Sequence, residues 1–275
     1  MEHRAAVCRI QLLGTGAADH DWARIGEPGV RGSAGTLFNG AVLIDYGATG
    51  PENLARFGVA PDRLEALIFT HTHSDHFAPE KVRELLEARR NPAPLQIYGS
   101  REMAGILSGA PNCVLHPLSA GTVFRAKDLE FTALPSNHML EANPEELTFH
   151  YLIRGDAGTV LYALDGAWLT KPEWLLIRGI RLNLILIDAT MAEGGDWRIF
   201  EHNDLDMIEH MLLTFRREGM VSDATRVVLT HMARTLWPEE SAAARALAER
   251  RGFELGYDGM MLELVREYPA AGSVC

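Results

Sequence analysis

Four side chains able to ligate a metal fall within six positions in His71-Thr-His73-Ser-Asp75-His76. Neutral imidazoles and carboxylates are the donors that borderline divalent ions such as zinc prefer, and His71 and His73, two apart, can turn to one side of an extended loop. Asp75 and His76 then remain for a second ion or a bound water. The loop follows Leu64-Glu-Ala-Leu-Ile-Phe-Thr70, an apolar run that reads as a buried strand and so carries the polar cluster to one edge of a sheet.

The same arrangement recurs down the chain. Strand-like residues 129–134 run into Pro135-Ser-Asn-His138, residues 159–164 into Asp165-Gly166, residues 182–187 into Asp188-Ala-Thr190, and residues 226–230 into His231. Taken singly, His138 or Asp165 passes for a turn residue. Repeated placement at strand ends is what lets a single sheet system gather His71, His138, Asp165, Asp188 and His231. Such a set holds two divalent ions, with His71, His73 and His138 on one, Asp75, His76 and His231 on the other, and Asp165 between them. Zinc and manganese both suit these donors, and iron is a further candidate. Asp45, at the end of strand 41–44, either orients a ligand imidazole or caps a turn at Tyr46-Gly47.

The remaining elements must position these tips. Strands are expected at 7–13 and 36–38, the latter joined to 41–44 by the hairpin signal Asn39-Gly40, and later at 94–98 and 112–117. Helices are expected at 51–57, from Pro79 with Val82, Leu85 and Leu86 buried, at 100–107, at 172–177 and at 238–251. Another presents Ile208, Met211, Leu212 and Phe215, with Asn203 as its cap and Gly219 as its stop. The tail, 253–265, reads as a closing hairpin around Asp258-Gly259. Gly14-Thr-Gly16 lacks the full spacing of a phosphate-binding loop and no helical pattern follows, so it is a tight turn. The polar loop 19–32 is a candidate flap whose His20 and Arg31 are placed to contact substrate. His116 is expected to be structural or exposed, and His210 solvated.

Composition bounds the class. The 275 residues carry 47% hydrophobic and 23% charged side chains, with no linker-like stretch, so one domain spanning 1–275 is expected. A net charge of −11 works against tight binding to nucleic-acid phosphates or anionic lipid. The expected partner is a small-molecule substrate rather than a membrane or a long nucleic acid, and a homodimer is left open. Cys8, Cys113 and Cys275 are far apart and outside the ligand clusters, which favours a reducing, cytoplasmic setting. The start, Met1-Glu-His-Arg-Ala-Ala, lacks the order of a secretory signal, and no apolar run is long enough to span a bilayer.

The His71-Thr-His73-Ser-Asp75-His76 loop, followed in order by His138, Asp165 and His231, resembles the metallo-β-lactamase superfamily through most of the chain. That resemblance implies an α/β fold, the αββα sandwich, with a dinuclear metal centre at its edge and a metal-bridging water or hydroxide. It does not select the reaction, because one fold and metal site serve lactams, thioesters, lactones, phosphodiesters and oxygen chemistry. Asp188-Ala-Thr190, His202 before a helix and Leu229-Thr-His231 resemble the ribonuclease Z and cyclic phosphate phosphodiesterase branch. Asp188 stands where glutamate is usual there, and Asn203 where a small hydroxyl residue is usual.

The expected function is therefore a metal-dependent hydrolase, a phosphodiesterase for a small cyclic or linear phosphodiester. Asp75, His202 and Asp188 are the candidate catalytic residues, His202 giving a proton to the leaving group under the control of Asp188. The alternatives are a lactone or thioester hydrolase on the same site, a noncatalytic metal-binding or cofactor-assembly protein, and a mononuclear iron oxygenase.

Overall fold

The computed structural model describes residues 5–267. Cys275 and the first four residues of the amino-terminal stretch lie outside them. The first sheet contains β1 (Ala5–Gly14), β2 (Gly35–Phe38), β3 (Val42–Ile44), β4 (Ala66–Ile68), β5 (Leu95–Gly99) and β6 (Cys113–Pro117), with β14 (Met261–Glu267) beside β1. The second contains β7 (Val123–Ala126), β8 (Leu129–Pro135), β9 (Phe149–Gly155), β10 (Gly158–Ala163), β11 (Leu184–Asp188), β12 (Arg226–Thr230) and β13 (Glu254–Leu255). Helices α1 (Gly50–Arg56), α2 (Pro79–Ala88) and α3 (Arg101–Ile106) serve the first sheet. Helices α4 (Lys171–Ile177), α5 (Leu205–Arg217) and α6 (Ser241–Arg250) serve the second.

Each sheet is antiparallel on one side and parallel on the other. Strands β14, β1, β2 and β3 pair antiparallel, then β3 to β6 parallel. Likewise β7 to β10 pair antiparallel and β10 to β13 parallel. Among the parallel strands β4 and β11 are buried throughout, covered on both faces, which is why they are apolar runs, whereas the edge strand β6 is only partly covered. In β4, Ala66 and Ile68 enter the core between the sheets while Leu67 faces the helices. In β11, Leu184 and Leu186 do the former, Ile185 and Ile187 the latter. Phe38, Phe131, Tyr151 and Tyr162 fill the middle layer, so the architecture is the αββα sandwich that the resemblance implied.

Strand direction decides where the ligands go. Strands β8 and β10 both lie antiparallel to β9, so they point the same way as each other and as β11 and β12. Their carboxyl ends share one edge with that of β4. The amino end of β9 joins the two sheets there: Tyr151 Oη donates to the Phe69 carbonyl at 2.6 Å, and Phe149 N to that of Thr70 at 2.9 Å.

Three sequence readings change. The tail is not a hairpin, because β13 continues the second sheet beside β12 whereas β14 belongs to the first. The Asp258-Gly259 turn crosses between the layers, with Gly259 at a φ of +89°. Asp258 anchors it by accepting from Thr15 N, Thr15 Oγ1 and Gly32 N. Asn203 does not cap α5; Asp204 does, accepting from Met207 N at 2.7 Å. Strands β7 and β9 also emerge where no element was expected. Gly14 is glycine because a Cβ there would meet the Ser33 carbonyl at 1.9 Å, a close approach that has nothing to do with phosphate.

Candidate metal centre

All seven candidate ligands meet at the shared edge, in two groups joined by one carboxylate. His71, His73, His138 and Asp165 form the first group, and Asp75, His76, Asp165 and His231 the second, their ligating atoms within 4.8 Å of one another. In the first, His73 Nδ1 lies 3.0 Å from both His71 Nε2 and His138 Nε2. In the second, His231 Nε2 lies 3.1 Å from His76 Nε2 and 3.2 Å from Asp75 Oδ2. Asp165 Oδ2 sits between, 3.0 Å from His76 Nε2, 3.3 Å from His71 Nε2 and 3.7 Å from His138 Nε2.

These spacings test the fit of a metal. A tetrahedron of ligands about 2.0 Å from zinc has edges of roughly 3.3 Å. Imidazole nitrogens converging in pairs at 3.0–3.1 Å in a buried space match that edge and leave lone pairs aimed at a common point. The donor set fits divalent metal ions.

Surrounding residues fix three of the ligand rings. Nδ1 of His76 meets Asp45 Oδ2 at 2.8 Å, Nδ1 of His71 meets Thr70 Oγ1 at 3.0 Å, and Nδ1 of His231 meets Thr190 Oγ1 at 2.8 Å. Binding of the far nitrogen sets which one is left for a metal. Asp45 thus orients a ligand, and its other oxygen accepts from Thr70 N and Oγ1. Three residues at strand tips leave the sheet through left-handed backbone: Asp45 at φ +62°, Asp165 at +58° and His231 at +60°. Non-glycine residues in this region carry strain of about 1–3 kcal/mol each and cluster at functional sites.

Protein charge divides the rings into two kinds. Burial pushes the pKa of His71 down to about 3, helped by His76, and that of His138 down to about 2. Burial also opposes charge on His231, but Asp165, Asp75 and Asp188 override it and push that ring up to about 10. For Asp165 itself, the penalty of burial is outweighed by His231, His76 and His138, which hold it well below the carboxylate range.

Beside this floor, His202 Nδ1 meets Asp188 Oδ2 at 2.8 Å, and Asp188 Oδ1 accepts from Thr190 N at 2.8 Å. Burial works to lower the His202 pKa, yet Asp188 outweighs it and leaves the ring above its ordinary value. Both His202 and the ligand floor line a cavity of about 260 Å³. The Asp188 bond leaves His202 Nε2 as the nitrogen available to that cavity.

The candidate contacts His20 and Arg31 do not line the cavity. The His20 ring braces the segment after His231, Nε2 donating to the Met232 carbonyl at 3.1 Å. Arg31 Nη1 donates to Thr15 Oγ1 and the Gly256 carbonyl. In their place Asp19, Arg198 and Glu201 reach the rim. Asp19 opens the loop read as a candidate flap, but sequence reasoning missed Arg198 and Glu201; the acidic and aromatic stretch Asp196-Trp-Arg-Ile-Phe-Glu201 directly before His202 was the available signal. It also missed Glu146, which is buried and accepts from Thr72 Oγ1 and Ser100 Oγ, holding the ligand loop from outside. His116 pairs with Gln96 and stacks on Tyr98, while His210 is exposed.

Comparisons with known proteins agree with this geometry. Ribonuclease Z of Mycobacterium bovis (strain BCG / Pasteur 1173P2) is 27% identical over 268 residues, covering 87% of this chain and 91% of that one. Ribonuclease Z of Mycobacterium marinum is 26% identical over 183 residues, 57% of this chain and 62% of its own length. In structure, the metallo-β-lactamase fold protein YhfI from Bacillus subtilis superposes with a TM-score of 0.73 at 17% identity, over 94% of this chain and 99% of that chain. A diphosphatase of the PhnP family gives 0.70 at 19% identity, over 96% and 100%. The model of the beta-lactamase superfamily domain matches residues 42–232, a span that holds every ligand of both clusters. With that match over most of its length and the ligand edge in place, the chain belongs to the metallo-β-lactamase superfamily.

Proposed function

We propose that the protein is a dinuclear phosphodiesterase acting on a small cyclic or linear phosphodiester. The coarser class, a metal-dependent hydrolase, follows from the family and the ligand clusters. The finer reading is carried by one observation, the His202–Asp188 pair at 2.8 Å beside the two ligand groups. An ester of an alkyl alcohol needs its leaving oxygen protonated, whereas lactones and thioesters depend far less on such help. The ribonuclease Z relatives and the PhnP-family diphosphatase lend support from proteins named for cleavage at phosphate.

Divalent ions bound at the ligand clusters would supply Lewis acidity, which makes water a better nucleophile and offsets charge on the phosphate oxygens. His71, His73 and His138 would hold one ion, Asp75, His76 and His231 the other, with Asp165 shared. The chain does the rest. Asp188 Oδ2 accepts a hydrogen bond from His202 Nδ1–H and so leaves Nε2–H free to give its proton to the departing oxygen. Asp45, Thr70 and Thr190 keep the ligand rings from rotating. The small cavity, with Asp19, Arg198 and Glu201 at its rim and a chain of net charge −11 around it, favours a compact substrate over a long polyanion.

The test is metal content per chain together with turnover of cyclic and linear alkyl phosphodiesters against simple lactones and thioesters. Two ions per chain and preference for the phosphodiesters are expected. Faster turnover of the acyl substrates would overturn the reading.

A further inference from the structure

We infer that His150 and Glu173, which touch neither cavity nor ligating atoms, form a buried pair that positions the shared carboxylate Asp165 through its own backbone. The inference rests on the two-ion reading above.

His150 lies on β9 and Glu173 in the first turn of α4, and both are buried. His150 Nδ1 meets Glu173 Oε1 at 2.6 Å, and Nε2 lies 3.2 Å from the Asp165 carbonyl. Both ring nitrogens therefore face acceptors, so the ring donates on both sides and ties helix α4 to the turn that carries Asp165. Ser136 Oγ donates to the same carbonyl at 2.7 Å.

The ring is also a wall. A Cβ on Gly166 would meet His150 Nε2 and Ser136 Oγ at 2.9 Å, so the turn lies flush against both side chains. From the far side Asn203 closes the clamp, Nδ2 donating to the Gly166 carbonyl and Oδ1 accepting from Trp168 N, each at 2.8 Å. This is the work that displaced Asn203 from the cap of α5. The clamped turn includes the left-handed backbone of Asp165, a conformation that persists only where the surroundings over-determine it.

Stability alone does not account for such a pair. Taking a histidine–carboxylate pair out of water is costly, and apolar residues of similar volume often hold a protein together as well or better. Glu173 Oε2 is buried and has no hydrogen-bond partner among the described residues, which adds to that cost. What apolar replacements cannot supply is the second directed donor at the Asp165 carbonyl, beside Ser136 Oγ, and with it the tie to helix α4.

The test compares the metal-stripped full chain with the double variant His150→Phe plus Glu173→Leu, and with His150→Phe alone. Zinc affinities are read by competition with a chromophoric chelator, well below the melting temperature of each metal-free protein, and the ligand field by the visible bands of cobalt(II). The double variant is expected to melt at or above the wild-type temperature without metal, yet to bind zinc about 10–100-fold more weakly and shift the cobalt bands. Should the single variant fail to fold, the double variant decides. Wild-type zinc affinity and cobalt spectrum in the double variant would overturn the inference, leaving the pair a packing feature. A wild-type chain that takes up a single zinc would instead overturn the two-ion reading, and this inference with it.

Discussion

In the first sheet, β4 alone brings His71, His73, Asp75 and His76 to the edge, in one loop. In the second, β8, β10, β11 and β12 each bring a single side chain, His138, Asp165, Asp188 and His231. The two sheets have the same succession of antiparallel and parallel pairs, so topology is not what separates them. The loop half owes its geometry to its own short backbone, braced by Asp45 and Glu146. The other half owes it to register, with Ala163 opposite Ile187 and Asp188 opposite Thr230. One half is encoded by spacing, the other by pairing. Asp165, which belongs to the second half, is the residue that joins both ligand groups.

The comparison can be broken most sharply by deleting one ligand from each half. Asp165→Ala is expected to lose both ions and His73→Ala only one, measured as zinc per chain after dialysis. Because metal activation contributes several kcal/mol to transition-state stabilisation, Asp165→Ala should lower phosphodiester turnover by roughly 10³-fold or more. Equal zinc loss in the two variants would contradict the shared role of Asp165. Next in size, His202→Ala should slow an alkyl phosphodiester by about 10²–10⁴-fold while leaving a nitrophenyl ester, whose leaving group needs no proton, nearly unchanged. Equal slowing of both esters would remove His202 as the donor.

On the loop side, Asp45→Asn should weaken the ion held by His76 by about 10–100-fold, with the His71 ion less affected, as read by stepwise zinc titration. Smallest is Asp204→Ala, which removes the cap of α5 beyond the site. It is expected to cost about 1 kcal/mol, a fall of roughly 2 °C in melting temperature, with zinc uptake unchanged. A loss of zinc in that variant would mean that the register half is coupled to its helices more tightly than its hydrogen bonds indicate.

Much of the site was legible because two different signals survive in one dimension. Four ligands in six positions announce themselves, and the recurring pattern of an apolar run ending in a single His or Asp marks the strand tips. The strands missed were those lacking such a signal. Val123–Ala126 is a short edge strand with little buried, and Phe149–Gly155 has both faces covered and no polar tip to mark it. His150 was a clue within that second run, a polar ring inside an apolar stretch, whose partner lies on a helix 23 positions away. The tail misled for a related reason: Asp258-Gly259 has the composition of a hairpin turn, but its flanking strands pair with β12 and β1 in different layers.

By itself the sequence determined most of the alternation of strands and helices, the burial of the strand before His71 and of the strand before Asp188, and which side chains stand at the strand ends. Those properties follow from local periodicity and residue chemistry. Tertiary structure alone decided that these tips come from two separate sheets meeting at one edge, and that Asn203 and His150 serve a turn rather than a helix or a strand. Each of those depends on strand order and on distances between residues far apart in the chain, and neither is written in the neighbours of any one position.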